Sequence, residues 1–454
     1  MSSELLAPLD LAFWHLESAG HPMHLGALAF FAPGPGSRGD EHTLELLAER
    51  AAAIPRLRMR VRDVLLPVGG AAWAAAKDFD VRRHVRHVRL PDGDSDGHFA
   101  AEATAIAGEL MEQPLERGLP PWEMYLLTAR PGGPFAVLVK LHHALADGMR
   151  AVAIGAGIFD EIADARAVGV RRARAVPPRS WLAGPWRAAG FARGRIEELG
   201  RAVGVGASVV RASRFDPRGV PALCAGSSGT RRLSTAVLDL AGVRQVRRAV
   251  GGTGNDVLLA TVAGALRRWM VDRDEPLPAA DPRALVPVSR RRPGSPPGSG
   301  NKLSAYLLAL PVSDPDPRSR LDAVRTAMDR NKAAGPSRGA GALAVLADQL
   351  PPLAHRFGAP LAGGAARMLF DVLVTSVPLP RSALSLGGCP LREIYPMAPL
   401  ARGQSLAIAM STYGGQVHVG LVADGKAVPD LDRLAHGLSE ELDALLAAAS
   451  TDSR

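Results

Sequence analysis

Two stretches in which helix-like and strand-like segments alternate are the feature that most constrains how this chain can fold. The first ends near residue 160, and the second begins near residue 231. The residues between them are dominated by Pro, Gly, Arg and Ala, with one helix-like segment at residues 194–203. A length of 454 residues also exceeds what a single ordinary core accommodates. We therefore predict an α/β (α+β) protein with an N-terminal half, a crossover and a C-terminal half, at residues 1–164, 165–230 and 231–454.

Three local patterns within these halves predict particular elements. GQSLAIAMSTYGGQVHVGLVA, at residues 403–423, has no charged residue, but its apolar residues alternate on both sides of Gly414-Gly415. This alternation predicts a β-hairpin rather than a membrane span. MRAVAIGAGIFDEIA, at residues 149–163, predicts one helix. The last segment predicts a helix with one leucine-rich face, formed by Leu431, Leu434, Leu438, Leu442 and Leu445.

The composition favours a cytoplasmic protein. The first twenty residues carry acids early and lack the basic start and apolar core of a signal peptide. Cys224 and Cys389 are too few for a disulfide framework and lack the spacing of metal ligands. Neither half contains a glycine-rich loop of the Rossmann or P-loop type, so we do not expect a nucleotide-binding fold.

The formal net charge of +9 is concentrated in the crossover. Residues 166–232 contain 14 arginines, no lysine and three acidic residues, so the remainder of the chain is close to neutral. Nucleic acid, anionic lipid and acidic small molecules are partners that such a segment attracts. Trp181, Trp186 and Phe191 lie among the arginines, a mixture that suits contact with a lipid–water interface. A solvated linker is the alternative, and we expect no nucleic-acid partner because no nucleic-acid-binding motif accompanies the segment.

The sequence KLHHALADGMR, at residues 140–150, contains the side chains best suited to chemistry. It places His142 and His143 at the end of a predicted strand, where consecutive side chains point to opposite faces, so only one imidazole can enter a given cleft. A neutral imidazole there suits general-base catalysis on a hydroxyl or thiol. Metal binding with Asp147 is the rival interpretation, but the two histidines diverge and no third-ligand cluster accompanies them. Gly148 gives the following turn its backbone freedom.

The motif His142-His143-x3-Asp147-Gly148 resembles the HHxxxDG motif of the acyltransferases related to chloramphenicol acetyltransferase and to peptide-synthetase condensation domains. Further segments, in the same order, resemble the bacterial wax ester synthase/acyl-CoA:diacylglycerol acyltransferase family. They are PLDLAFWHLESAGHPMHLGAL at 8–28, PPWEMYLL at 120–127, GGTGNDVLLATVAGALRRWM at 251–270, and LVPVSRR followed by GNKLSAYLLALP. The resemblance extends over nearly the whole chain. It implies two chloramphenicol-acetyltransferase-like domains that face each other across a channel.

The resemblance also implies roles for the residues of the motif. His143 is then the general base, which removes the proton of an acceptor hydroxyl for direct attack on an acyl-CoA thioester, without an acyl-enzyme. His142 and Asp147 are structural supports, and Arg290 is the candidate partner of Asp147. The sequence agrees with direct transfer, because it contains neither a Gly-x-Ser-x-Gly elbow nor an evident cysteine nucleophile. Acyl-CoA is a substrate in this scheme, and no cofactor or metal is expected.

Four residues of the other resembling segments are candidates for the site. Asn255 is the side chain that we favour near the tetrahedral oxyanion, with an N-cap of its helix as the alternative role. Glu17 and His24 lie near the catalytic channel in the family interpretation, whereas Glu17 is otherwise a solvated helix residue. Trp122 is interpreted as a wall of the core or of the channel, and both Trp122 and Gly148 are candidate contacts of the substrate.

One stretch departs from the family pattern. The family has Thr/Ser-Asn-Val-Pro-Gly-Pro where this chain has Thr375-Ser376-Val377-Pro378-Leu379-Pro380. Ser376 keeps a polar donor, while Leu379 adds bulk and restricts the turn. We expect Thr375 and Ser376 to contact substrate and Leu379 to narrow the pocket for the acyl chain or for the acceptor.

Three functions fit this sequence. The first is transfer of a long-chain fatty acyl group from acyl-CoA to diacylglycerol or a fatty alcohol, by an enzyme that contacts lipid droplets or the inner membrane through residues 166–232. The second is the same chemistry on a hydroxyl of a secondary metabolite or of the cell envelope. The third is a condensation-like protein that binds without catalysis. The complete motif argues against the third, since a binding protein has no evident need of an imidazole in its cleft.

Overall fold

The computed structural model describes residues 4–34, 38–93, 95–145, 148–163, 220–289, 303–334, 356 and 369–451. Among the predicted features, Asp147, Arg290 and the helix-like segment at 194–203 lie outside these described residues, as does most of the arginine-rich crossover.

The described part of the chain contains strands and helices in the alternation that the sequence predicts. In chain order, the strands are β1 (Glu4–Leu5), β2 (His24–Phe31), β3 (Met59–Asp63), β4 (Ala71–Ala75), β5 (Val85–Arg89), β6 (Trp122–Thr128), β7 (Phe135–His142), β8 (Arg231–Asp239), β9 (Arg283–Ser289), β10 (Leu303–Ala309), β11 (Val372–Ser376), β12 (Ser385–Leu386), β13 (Cys389–Met397), β14 (Leu406–Tyr413) and β15 (Gln416–Asp424). The longer helices are α1 (Pro8–Leu16), α2 (Asp40–Ala53), α3 (Asp96–Glu112), α4 (Gly148–Gly155), α5 (Leu240–Val250), α6 (Gly254–Val271), α7 (Pro317–Ala334) and α8 (Leu431–Thr451). Short 3₁₀ helices occur at Pro55–Arg58, Val81–Arg83 and Ala156–Ile158.

The N-terminal half is built on a six-stranded sheet with the order β12-β13-β2-β7-β6-β5. Its strands pair antiparallel except for β5 and β6, which run parallel. Both faces are covered, so β7 is apolar at consecutive positions rather than at alternate ones. Val137 and Val139 pack in the core that contains residues of α2 and α4, whereas Leu138 packs in the core that contains residues of α3.

The C-terminal half is built on a mixed sheet with the order β10-β9-β11-β14-β15-β8, in which β11 runs parallel to both of its neighbours. The predicted hairpin is confirmed: β14 and β15 are joined by Gly414 and Gly415, with φ of 58° and 83°. Two positive φ values are what a type I′ turn requires, and glycine adopts them without strain. The predicted leucine face of α8 is also confirmed, because all five leucines are buried in the core of this half.

The two halves share both a sheet and a core. Strand β13 comes from the C-terminal half of the sequence, but it pairs with β2 in the N-terminal sheet. The predicted division at residue 231 did not indicate that a strand of the C-terminal half joins the N-terminal sheet. In addition, Leu233 of β8 and Ala409 of β14 pack in the same core as Leu138 and the residues of α3. The relative position of the two halves is therefore fixed by backbone pairing as well as by apolar contacts.

The single helix predicted at residues 149–163 is wrong. Helix α4 ends at Gly155, a 3₁₀ turn follows at Ala156–Ile158, and helical structure resumes at residue 160. Glycine inside a helix is unfavourable relative to alanine, and two glycines occur here within three residues. The interruption brings Ile158 and Phe159 into the N-terminal core, where both are buried.

A small sheet with the order β1-β4-β3 lies beside α1. The segment that leads from β1 into α1 is joined to it through Leu6, whose backbone N–H donates to the carbonyl of Ala71 at 2.8 Å. Trp73 of β4 and Val61 of β3 are buried in the same core as Leu11 of α1. Helix α1 is thereby held between this small sheet and the end of β7.

Candidate active site

The end of β7 is tied down by four consecutive backbone amides. The N–H of His142 donates to Pro121 O at 3.0 Å, and that of His143 donates to Met23 O at 2.8 Å. The next two amides, of Ala144 and Leu145, donate to the ring Nδ1 and to the carbonyl of His142, at 2.9 and 2.8 Å. The segments around residues 23, 121 and 142, which carry the sequence resemblance, therefore meet at this turn.

Strand alternation predicts that the two histidines point to opposite sides of the sheet, and the structure fixes the side of His142. His142 is directly opposite His24 of β2, so both imidazoles point to the α3 face, and each is 1% exposed. His143 follows the strand and is half-buried. Its ring stacks on Phe13 of α1, with ring centroids 3.9 Å apart and an angle of 25° between the planes.

Glu17 connects the histidines of the α3 face. It follows the last residue of α1, and its Oε1 lies 3.4 Å from the Nε2 atoms of both His24 and His142. Its other oxygen, Oε2, accepts a hydrogen bond from Arg117 Nη2 at 2.6 Å. The Arg117 guanidinium also lies over the Trp14 ring, 3.7 Å from its centroid. The Glu17 side chain is only 6% exposed, so the alternative of a solvated helix residue is wrong.

The protonation states of this cluster follow from burial and from the charges around it. Burial tends to raise the pKa of Glu17, but contacts with His142 and His24 and the charge of Arg117 outweigh it, so this pKa lies well below its usual value. Burial lowers the pKa of His24 to about 4, although Glu17 acts in the opposite direction. At neutral pH the cluster therefore contains a carboxylate and a neutral His24.

The hydrogen bonds of His142 define its tautomer. Because Nδ1 accepts the N–H of Ala144, the ring proton resides on Nε2, which faces Glu17. Nδ1 thus holds the turn, while Nε2 lies 3.4 Å from the Glu17 carboxylate. The edge of the Trp14 ring packs against the same imidazole, with ring centroids 5.0 Å apart. This imidazole therefore braces the turn that carries His143.

An apolar cavity of about 90 Å³ lies on the face of the sheet opposite to His142. Strands β2 and β7 contribute part of its wall, including Val139 and Leu141, which alternate along β7 with the residues of the α3 face. Helix α4, which directly follows the histidine motif, contributes Ala151 and Gly155. The C-terminal half closes the cavity with β13 and with Leu379 of the divergent stretch. Both halves therefore build one apolar site next to the turn that carries His143.

Asn255 and Ser376 are brought together by the C-terminal half. The Ser376 hydroxyl donates to Asn255 Oδ1 at 2.9 Å, so the amide Nδ2 of Asn255 is directed away from Ser376 and can donate elsewhere. The N-cap of α6 is Thr253, which forms a capping box with Asp256. The alternative role of Asn255 as the N-cap is therefore wrong. Thr375 is half-buried in β11, one residue before Ser376.

Two further predicted residues have clear positions. Trp122, the first residue of β6, is fully buried; its indole N–H donates to Leu57 O at 2.6 Å, and its ring stacks on His84. Gly148 is the first residue of α4. Their predicted roles as substrate contacts remain predictions.

Several residues of this site were not anticipated from the sequence. Phe13 and Trp14 pack against His143 and His142, and Arg117 holds Glu17. The adjacent aromatic residues of α1 carry a weak signal, since two large rings side by side on a helix cannot both face one core. No pattern around Arg117 indicated its partner, because the two residues are 100 positions apart in the sequence.

Among the residues with described placement, no three His, Cys, Asp or Glu side chains are grouped so that they could hold a metal ion. Within the same ranges, no helix combines the length and the apolar character that crossing a membrane requires.

Family models and individual relatives match this chain over most of its length. The model described as the wax ester synthase/diacylglycerol acyltransferase catalytic domain matches residues 6–258, and that of the WS/DGAT C-terminal domain matches residues 299–446. Two Mycobacterium tuberculosis proteins named as diacylglycerol O-acyltransferases are 31% and 30% identical to it. Each alignment covers 97% of this chain, and 96% and 98% of the respective relative.

Solved structures with the same fold are more distant in sequence. A wax ester synthase/diacylglycerol acyltransferase from Marinobacter aquaeolei VT8 superimposes with a TM-score of 0.71 at 22% identity, over 98% of this chain and 100% of that one. The first condensation domain of the CDA synthetase superimposes with a TM-score of 0.60 at 17% identity, over 97% and 96% of the two chains. The predicted two-domain α/β architecture is confirmed by these similarities.

Proposed function

Because the chain belongs to the wax ester synthase/diacylglycerol acyltransferase family, we propose that it transfers a long-chain fatty acyl group from acyl-CoA to a lipid hydroxyl. The acceptors are diacylglycerol, which yields triacylglycerol, and fatty alcohols, which yield wax esters. The observation that supports this proposal is an apolar cavity lined by Val139 and Leu141, in the strand that leads to His143, while His142 lies 3.4 Å from Glu17 on the other face of the sheet.

His143 is the general base in this proposal. Its ring removes the proton of the acceptor hydroxyl as the oxygen attacks the thioester carbonyl, in a complex that contains both substrates. Collapse of the tetrahedral intermediate breaks the carbon–sulfur bond, and the proton passes from His143 to the coenzyme A thiolate. The products are the ester and free coenzyme A, so no acyl-enzyme forms. Stacking on Phe13 and the hydrogen bond to Met23 O support this role by holding the ring and its backbone in place.

Asn255 stabilises the oxyanion in this scheme. The hydrogen bond from Ser376 fixes its Oδ1, which leaves Nδ2 to donate to the negative oxygen that develops during attack. Asp147 and Arg290 are proposed to form the ion pair that shapes the turn after His143. Thr375 and Gly148 are proposed to lie along the substrate path.

The apolar cavity is proposed to take the methylene chain of the acyl group. Its lining is almost entirely carbon, and it lies between the strand that leads to His143 and the Leu379 segment. A volume of about 90 Å³ is small beside the roughly 300–1,000 Å³ of ordinary ligand pockets, so a long chain requires further opening. Residues 166–232 are proposed to contact a lipid droplet or the inner membrane, from which such substrates come.

The decisive experiment is coenzyme A thiol release from palmitoyl-CoA, with and without diacylglycerol or hexadecanol. Wild type should show acceptor-dependent release, and His143→Ala should lower kcat by about 10²- to 10⁴-fold, as expected for loss of a general base. His436→Ala, on the exposed face of α8, is the matched control and should retain full activity. Release that survives in His143→Ala would move the chemistry away from this residue. Binding of palmitoyl-CoA without turnover on either lipid would favour a different hydroxyl acceptor or a protein that only binds.

A further inference from the structure

Exposed apolar side chains are concentrated at one place on the described surface. Among the described residues, six large apolar side chains are exposed. Four of these six lie in or beside the β3–β4 hairpin. Leu65, Leu66 and Val68, at the tip between the two strands, are 93%, 80% and 58% exposed, and Leu5 on the neighbouring β1 is 52% exposed. Consecutive exposed apolar residues are unfavourable on a surface that meets only water, so such a tip indicates a contact surface.

Arginines occupy alternate positions in the segment that leads into this tip. They are Arg56, Arg58, Arg60 and Arg62. Arg56 lies over the Trp73 ring and near Glu4, whereas Arg58 and Arg62 are exposed. Across the small sheet Arg62 is opposite Ala72, which in turn is opposite Leu5, so the outer face combines an apolar and a basic side chain. Glu4 and Asp63 are the acids of the small sheet and of the segment that leads into it, against these four arginines, so positive charge predominates.

We propose that the β3–β4 hairpin inserts its tip into the headgroup region of an anionic phospholipid bilayer. The apolar tip supplies the insertion, and the arginines below it supply attraction to the negative lipid surface. Two such signals together give stable attachment, whereas either alone gives weak and reversible contact. The arginines beside the tip favour an anionic lipid surface over an uncharged apolar partner, because such a partner would gain nothing from their charge.

The hairpin is joined directly to the helix that contacts both histidines of the site. Near its tip, Gly69 O lies 3.4 Å from Nε2 of His15, a residue of α1. The same helix carries Phe13, which stacks on His143, and ends just before Glu17. Insertion of the tip would therefore bring α1 close to the lipid surface, and with α1 the His143 ring that stacks on it. This inference deepens the proposed function, since it names the surface from which bilayer-held substrates reach the site.

Vesicle co-sedimentation of the full chain tests the insertion. The paired substitution Leu65→Ser and Leu66→Ser should weaken binding to phosphatidylglycerol-containing vesicles by about 10- to 100-fold. The matched control is Val237→Ser with Val271→Ser, which changes two exposed apolar residues of the other half and should bind as wild type does. Binding should also fall with rising salt and on neutral phosphatidylcholine vesicles. Circular dichroism and thermal unfolding confirm that each variant is folded.

A second variant reports insertion directly. Leu66→Trp should show a blue-shifted emission relative to wild type and quenching by brominated phospholipid, whereas Val271→Trp should show neither. Unchanged vesicle binding of the double Leu→Ser variant together with an unquenched Trp would overturn the proposal. A tip variant that loses self-association but keeps vesicle binding would also overturn it, in favour of a contact between copies of this chain.

Activity measurements separate this inference from the proposed function. With octanoyl-CoA and a water-soluble alcohol, the double Leu→Ser variant should turn over as wild type does, and only transfer to diacylglycerol in anionic vesicles should slow. Absence of turnover by wild type on every acceptor would contradict the proposed function, while the vesicle measurements would still decide whether the hairpin inserts.

Discussion

Replacement of Leu379 by glycine should widen the apolar cavity and shift the acyl preference toward longer chains. Leu379 is half-buried in the cavity wall, at the position where the family pattern has glycine. The cavity of about 90 Å³ is smaller than the roughly 150 Å³ that encloses one benzene molecule, so it accommodates only a few methylene groups as it stands. Leu379→Gly removes four side-chain carbons from the wall.

The expected size of the effect follows from the burial of methylene groups. Each substrate CH₂ that fills vacated space contributes about 0.8 kcal/mol, so four contribute about 3 kcal/mol, or roughly 100-fold in kcat/KM. We therefore expect the ratio of kcat/KM for palmitoyl-CoA to that for octanoyl-CoA to rise by about 10- to 100-fold. The added backbone freedom of glycine should lower the free energy of unfolding by about 1 kcal/mol beyond the loss of the side chain.

The assay is coenzyme A release over a series of acyl-CoA substrates with one fixed acceptor, followed by a series of alcohols with one fixed acyl-CoA. Leu379→Met keeps the volume of the side chain and should leave the preference unchanged. Leu379→Ala removes most of the volume without the freedom of glycine, and it should give an intermediate shift. An unchanged acyl preference in Leu379→Gly would refute the reasoning. A shift confined to the alcohol series would assign the cavity to the acceptor instead.

Further predictions concern the polar residues of the site. Glu17→Gln removes the carboxylate that faces His142, and it should lower kcat by about 10- to 100-fold while KM for acyl-CoA changes little. Asn255→Ala should lower kcat by about 10²- to 10³-fold if its amide stabilises the oxyanion, whereas Ser376→Ala, which only releases that amide, should cost about tenfold. Burial lowers the pKa of His24 from 6.5 to about 4, so between these values the unfolded chain binds a proton that the folded chain does not. The free energy of unfolding should therefore fall by about 3 kcal/mol as the pH drops from 6.5 to 4. His24→Gln should lack this component in urea titrations, and an equally steep loss in that variant would place the acid sensitivity elsewhere.

Local patterns in the sequence predicted those parts of the fold that depend on local physics. The Gly414-Gly415 turn is one example, because its positive φ values exclude most other residues. The separation of Lys140 and His142 from Val139 and Leu141 is another, since the period of a strand fixes it without knowledge of the partners. The leucine repeat of α8 is a third.

The sequence did not predict features that depend on contacts between distant segments. Strand β13 has the same apolar alternation whether it pairs in the C-terminal sheet or beside β2, so its pattern could not reveal its partner. The sequence could not decide between a channel position and a solvated position for Glu17, because its partners His142 and Arg117 lie at least 100 positions away. The sequence left Asn255 as an alternative cap of α6 because Thr253 and Asn255 are both good N-cap residues, and only the backbone geometry chooses between them.

The alternation along β7 also separates two environments that are incompatible in one pocket. A buried carboxylate such as Glu17 needs polar partners, and a methylene chain gains nothing from a site that contains them. His142 and Lys140, on one side of the strand, interact with carboxylates, whereas Val139 and Leu141, on the other side, line the apolar cavity. The sheet thus insulates the charges that brace the turn from the space where the chain of the substrate is proposed to lie. His143 directly follows this strand, so its backbone is held at the point where the two environments meet.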